Sequence, residues 1–383
     1  MKVLIVTTNQ THPVDAGNRA AIMAQVNVLE KMRHEVHCVF ANMSLRKDLN
    51  LSPMREYWGN RFHQYDVPFP TKVRRLLTDK VRTTLCGGYW KKDDHYPFGV
   101  EKFINGLQEA EHYDAVIIQY MRLSKLLSLV NIPRKAIFTH DVFAYKDIRT
   151  GAPFYETCNA KEEAEAIQRC PNVFAIQEEE AAYFRYISPS SKVFTVYCPH
   201  EFHDLPLCNN KTVLFLASRM EFNVNGIKWF LDNVWDSVLE RESDARLIIG
   251  GSVCEKVEAG RYRNVELLGY VESLTDFYGR GDIVINPVFQ GTGLKIKTFE
   301  ALSYGKVVIA HPHSTIGVFD REHLPAVICK EPDEWRDVVV SMLTGTEIDK
   351  CSVEDKLYIN RMNARIEEEY CAFLNAGDYC LSQ

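Results

Sequence analysis

No C-x-x-C pair occurs in the sequence, although it holds eleven cysteines. An odd, scattered set excludes a disulfide framework and reads as the reduced thiols of a cytoplasmic protein. No D-x-D pair of carboxylates is present either, and no metal site is expected. The nearest approach to a metal cluster is Cys198, His200 and His203, a short stretch with no matching ligand pair elsewhere. Long apolar runs are missing. Lys2 is followed by only four apolar residues, Val3 to Val6, too few for a signal-peptide core. No window approaches the ~20 apolar residues that span a bilayer. Low-complexity segments and short-period repeats are absent as well. Positive charge is in deficit, at 45 Lys and Arg against 51 Asp and Glu. The net charge of -6 argues against bulk attraction to nucleic acid, so no nucleic-acid partner is expected. Two familiar phosphate loops fail on their glycines. A Walker A loop ending at Gly305–Lys306 would need a glycine where Glu300 stands. The Gly291–Gly293 turn lacks the third glycine of a dinucleotide fingerprint.

What is present is a chain of two-domain length, 383 residues with 46% hydrophobic and 25% charged, enough for two sizeable cores. Its most informative stretch is DIVINPVFQGTGLKIKTFEALSYGKVVIA, residues 282 to 310. Ile283 to Ile285 read as a buried strand, Gly291 to Gly293 as a turn, and Ile296, Phe299 and Leu302 as one face of a helix. Gly305 stops that helix, and Lys306 to Ala310 opens a second strand. The first turn of a helix leaves backbone N–H groups unpaired at the positive end of the helix dipole. Glycines there let an anion approach closely. Lys295 and Lys297 add charge, and Glu300 is placed to accept from sugar hydroxyls. Together these suit a nucleotide diphosphate with its ribose. The same residues also read as a plain βαβ turn carrying a Lys297–Glu300 surface pair.

GTGLKIKTFEALSYGKVVIA closely resembles the donor-site signature of GT-B glycosyltransferases, in particular the retaining family four, the glycosyl transferases group 1. The resemblance implies that Glu300 holds the donor ribose, and that the backbone around Gly291, Thr292, Gly293, Leu294 and Lys295 holds the diphosphate. Thr292 stands where many members have the first glutamate of an E-x7-E pair. Ser218 and Arg219, after the apolar run VLFLA, resemble the family's G-R pair, whose arginine binds the diphosphate. A guanidinium suits that task through paired hydrogen bonds. Asn225 stands before Gly226 where members often carry a lysine, and Lys295 is expected to replace that cation. Tyr270 and Val271 match the loop that cradles the base through backbone groups.

The chain opens as strand, loop and helix, with Val3 to Val6, TTNQTHPVDAGNRA, then Ile22, Val26 and Leu29. Such openings belong to doubly wound sheets, which bind ligands beyond the carboxyl ends of their strands. Gly17 sits there and matches the family's first glycine loop, which touches donor phosphate or acceptor. Asn18 beside it falls on the acceptor side. Further strands are read at 35–40, 115–119, 135–140, 173–176, 192–196, 212–217, 246–251 and 264–270. FTHDVFAY, residues 138 to 145, resembles the family's histidine loop. That likeness implies that His140 contacts the transferred sugar, with Asp141 on the acceptor side. His311 and His313 read as loop histidines. Residues 42 to 100 are less regular. Within them Val73, Leu76, Leu77, Val81 and Leu85 recur at helical spacing, interleaved with Lys72, Arg74, Arg75, Lys80 and Arg82. The plainest account is a core-facing helix with a solvated basic side. The other is a helix lying on an anionic membrane surface or holding a lipid-linked acceptor, with Arg74 and Arg75 on the acceptor side.

The expected fold is α/β GT-B, two doubly wound Rossmann-like domains facing a central cleft. Residues 1–200 would form the acceptor domain and 201–350 the nucleotide-sugar domain. A helix in 351–383 would pack back on the first. The function implied is sugar transfer from a nucleotide-sugar to an acceptor hydroxyl with retention of configuration, needing no metal or other cofactor. Catalysis would rest on His140, Arg219 and Lys295. The acceptor would be a glycan, a lipid-linked glycan or a small hydroxyl compound, as in polysaccharide biosynthesis. A sugar-nucleotide epimerase, a phosphorylase, or a non-catalytic nucleotide-sugar-binding protein on the same fold are the alternatives.

Overall fold

Central strands of a parallel sheet are buried on both faces, and their sequences show it. VLIVT, AVIIQ, IVIN and VVIA lose essentially all solvent contact. A computed structural model of the chain describes residues 1–14, 17–45, 49–85, 89–151, 157–291, 293, 296–345 and 348–375. It divides into two units, residues 1–199 with 365–383, and residues 200–364.

In the first unit the strands are β1 (Lys2–Thr7), β2 (Glu35–Asn42), β3 (Phe62–Asp66), β4 (Ala115–Gln119), β5 (Arg134–Phe138), β6 (Asn172–Ala175) and β7 (Lys192–Thr195). They lie in the order β3-β2-β1-β4-β5-β6-β7, every pairing parallel. The second unit holds β8 (Thr212–Leu216), β9 (Arg246–Gly250), β10 (Val265–Gly269), β11 (Ile283–Asn286), β12 (Val307–Ala310) and β13 (Ala326–Ile328). Their order is β10-β9-β8-β11-β12-β13, again all parallel. Each sheet therefore reverses its strand order once, between β1 and β4 and between β8 and β11. Ligands bind such sheets beyond the carboxyl ends of the strands flanking the reversal. Two Rossmann-like α/β sheets are what the sequence led us to expect.

Two strands were not legible. β3 lies in the irregular region and β13 near the end of the second sheet. Both are edge strands, covered on fewer sides, and their residues are only partly buried or exposed. They show no continuous apolar run for that reason.

The basic helix is real, Phe69–Leu85, but its orientation overturns the core-facing account. Phe69 is 70% exposed, Leu76 48%, Leu77 62% and Val81 54%. Thr71, Arg74, Arg75 and Thr78, on the opposite side, line a cavity of about 480 Å³ with Asp93, Asp94, Tyr96 and Phe98. Two arginines and two threonines bury poorly in an apolar core, so this helix turns its polar side to the domain and its apolar side outward.

The C-terminal helix Ile348–Leu374 serves both units, changing from one to the other at residue 365. Beyond that point Tyr370 and Phe373 pack on Phe174 at 5.0 and 5.2 Å between ring centroids. No helix among the described residues is long and apolar enough to cross a membrane.

Candidate active site

In the second unit the chain leaves β11 and turns on glycine. Gly291 has φ 104° and Gly293 φ 78°, backbone that side-chain-bearing residues rarely adopt. A Cβ on Gly291 would also lie 3.2 Å from the Phe222 ring. His313 Nε2 lies 2.9 Å from the Gly291 carbonyl oxygen and ties the turn down, so that histidine has a structural task. Its own backbone N–H donates to His311 Nδ1. The helix Ile296–Ser303 follows the turn. Thr292, Leu294 and Lys295 lie outside the described residues.

In the first turn of that helix, Lys297 Nζ donates to Asn223 Oδ1 at 2.8 Å. Asn223 is buried, and its amide donates to the backbone and side-chain oxygens of Ser218, both at 3.1 Å. The helix after β11 is thus tied to the loop after β8, and these two strands flank the reversal. Next to Ser218, the Arg219 backbone N–H donates to Ser252 Oγ at 3.0 Å, and its guanidinium lies 3.3 Å from Glu255. That side chain is largely exposed. The helix Glu221–Phe230 approaches closely here, because a Cβ on Gly226 would sit 3.0 Å from the Pro287 oxygen and Val288 Cα. A glycine at that place fits helix packing.

Glu300 accepts a hydrogen bond from the Tyr278 phenol at 2.7 Å. Burial raises its pKa, while that hydrogen bond and the Lys297 charge hold it down. Tyr278 stacks on Tyr304 at 4.6 Å, and Tyr304 on His203 at 4.5 Å. His200 lies against Phe299. Among the described residues no group of three or more His, Cys, Asp or Glu is placed to hold a metal ion. Tyr270 is fully on the surface and Val271 is partly buried beside it.

In the first unit His140 follows β5 with φ 65°, and Tyr120 follows β4 with φ 71°. Positive φ at two bulky residues costs on the order of 1–3 kcal/mol each and collects at functional sites. The His140 ring stacks on Tyr120 at 4.2 Å, and the Arg122 guanidinium lies 4.5 Å from the Tyr120 ring centre. Burial, with Arg122 adding to it, pushes the His140 pKa down to about 3. The imidazole is therefore neutral at physiological pH. Asp141 is 2.5 Å from the Lys146 ammonium, and its Oδ1 accepts from the Val142 N–H. Glu180 is pushed up to about 8 by burial and by the Asp141 charge. Gly17 opens the helix Gly17–Lys31 into empty space. Asn18 caps the Arg19 N–H through Oδ1. Arg75 is 3.6 Å from Asp79, and with Arg74 it belongs to the separate cavity described above.

Residues 210–344 match the family model described as glycosyl transferases group 1. The chain is 23% identical over 332 residues to an uncharacterised 44.6 kDa protein in the cps region of Klebsiella pneumoniae, covering 81% of this chain and 82% of that one. Among solved structures, TarM matches with a TM-score of 0.67 at 11% identity, covering 98% of each chain. The pneumococcal O-GlcNAc transferase GtfA, solved with UDP and GlcNAc, matches with a TM-score of 0.65 at 10% identity, over all of this chain and 99% of that one. These likenesses establish the GT-B fold over the whole length. Sequence reasoning missed Tyr278, Asn223, Gln25 and Gln119, all polar residues outside the glycine signature whose partners come from other elements.

Proposed function

We propose that this glycosyltransferase moves a sugar from a UDP-sugar to an acceptor hydroxyl with retention of configuration. The observation that carries it is the pairing of a glycine turn at a helix start with Glu300 on the same helix, at the β8–β11 reversal. The turn and the first amides of Ile296–Ser303 suit a diphosphate, and Glu300 suits the ribose hydroxyls. The uridine base follows from the structural likeness to a transferase solved with UDP.

In the reaction the acceptor oxygen attacks the anomeric carbon on the face the diphosphate leaves. The carbon–oxygen bond to the β-phosphate breaks as the new glycosidic bond forms. The acceptor proton passes to the departing phosphate oxygen. Arg219, Lys295 and the helix amides offset the growing charge on the diphosphate, and this gain is larger in the transition state than in the bound donor. No metal or cofactor has a part in the proposal. His140, a neutral imidazole, contacts the transferred sugar as its ring becomes oxocarbenium-like. The acceptor is a glycan or lipid-linked glycan. The outward apolar side of the helix Phe69–Leu85, flanked by Lys72, Arg74 and Lys80, meets an anionic membrane surface.

The test is thermal unfolding of the purified protein with nucleoside diphosphates and their sugars. A ligand at 100 times its Kd adds about 2.7 kcal/mol. UDP and one UDP-sugar should stabilise, and Glu300→Ala should lose the shift. Lys297 is committed to Asn223, so Lys295→Ala should weaken donor binding far more than Lys297→Ala. Equal affinities in the two variants would remove Lys295 from the site. A trapped covalent glycosyl-enzyme would refute the same-face attack.

A further inference from the structure

A line of buried polar side chains runs through the first unit and ends on His140. Tyr370 belongs to the part of the C-terminal helix that counts with this unit. Gln25 lies on the helix Gly17–Lys31, and Gln119 is the last residue of β4. All three are at most 2% exposed. Gln25 Nε2 donates to the Tyr370 oxygen at 3.0 Å, and Gln119 Nε2 donates to Gln25 Oε1 at 2.8 Å. Gln119 Oε1 then lies 2.7 Å from His140 Nε2.

Two glutamines in an α/β core are costly unless they are bonded. The other residues of β4, Ala115 to Ile118, are apolar, so the sheet itself has no need of an amide at this place. The direction of the line matters more than its presence. Gln119 gives its N–H to Gln25, so the atom it turns to His140 is an oxygen, which only accepts. His140 must therefore carry its proton on Nε2. A neutral ring protonated there presents a bare lone pair at Nδ1. No described residue makes a hydrogen bond to that nitrogen. A bare Nδ1 accepts from a hydroxyl and cannot donate to a phosphate or carboxylate oxygen.

We propose that Gln119, held by Gln25 and Tyr370, is a positioning residue that fixes His140 in its Nε2-protonated form, so that Nδ1 accepts a hydrogen bond from a hydroxyl of the transferred sugar. This rests on the reading of His140 as the residue that faces that sugar. The strained backbone at Tyr120 and His140 serves the same end. It aims the ring from the ends of two neighbouring strands, where the stacked pair and the Gln119 bond leave one orientation. A donor lacking the hydroxyl that Nδ1 receives should be transferred more slowly without losing affinity for its nucleotide.

The full-length protein with ¹⁵N-labelled histidine rings gives a readout free of any assay, with the His140 signals assigned by their loss in His140→Gln. The expected result is a protonated Nε2 and an unprotonated Nδ1. In Gln119→Met, which keeps the shape and removes the acceptor, the two forms should mix, and kcat should fall about tenfold or more with donor KM little changed. Gln119→Glu keeps the acceptor and guards against a misfolded methionine variant; it should keep Nε2 protonated and recover part of kcat. A wild-type ring protonated on Nδ1 would overturn the proposal, because the line would then run the other way. Unchanged ring signals in a folded Gln119→Met would remove Gln119 from it. If the ring form stands and no nucleotide-sugar is ever turned over, the glycosyl-transfer reading fails and the positioning line survives.

Discussion

A carboxylate accepts two ribose hydroxyls well only when it is ionised, and at Glu300 ionisation is contested. Burial favours the neutral acid, and the Tyr278 phenol with the Lys297 charge favours the anion. Tyr278→Phe keeps the stack on Tyr304 and removes the phenol. The Glu300 pKa should then rise further, because a hydrogen bond that stabilised the anion is lost. The acid limb of kcat/KM for the donor should move to higher pH, with the variant recovering toward wild type above it. The pH profile of donor kcat/KM checks this; a limb that stays in place would detach Glu300 from donor binding. The places of Arg219 and of the glycine turn were legible because they come soon after the ends of β8 and β11, and strand ends can be read from apolar runs. Tyr278 was not, since its partner is chosen by the folding of a neighbouring helix. Gln25 is farther still from legibility. Its bond to Tyr370 joins residues 345 apart in the chain, and nothing local marks a buried glutamine as one link of a line.

Helical spacing says which residues share a face, and nothing about where that face points. This is why the helix Phe69–Leu85 was read inward and lies outward. The central strands could be read because burial on both faces writes itself as an unbroken apolar run, and the edge strands β3 and β13 could not. The outward face carries a prediction of its own. Burying a leucine is worth about 1.5–3 kcal/mol, and roughly 1.4 kcal/mol is tenfold in affinity. Leu76→Glu with Leu77→Glu should therefore lower binding to vesicles containing anionic lipid by about a hundredfold or more. Neutral vesicles should bind the wild type poorly, and added salt should weaken the anionic ones by screening. Both leucines are exposed, so thermal stability should hold. Co-sedimentation with vesicles measures the effect. Equal binding by wild type and double variant would leave the face without a membrane role.

At the scale of the whole chain, the C-terminal helix divides its residues between two cores, and the division is testable. Phe373 is buried and sits edge-on to Phe174 at 5.2 Å and Phe194 at 6.3 Å, on β6 and β7. Deleting such a ring costs about 3–5 kcal/mol. Phe373→Ala should place that loss in the first unit. Hydrogen exchange should quicken across β6 and β7 and stay unchanged across β8 and β11. The nucleoside diphosphate proposed for the second unit should slow exchange near β8 and β11 and should not rescue β6 or β7. The two effects would then be separable in one protein, one set by a packed aromatic ring and the other by ligand mass action. Exchange that quickens equally everywhere would mean that the units unfold together. The loss at Phe373 would then be shared by the second unit, and nucleotide would restore both.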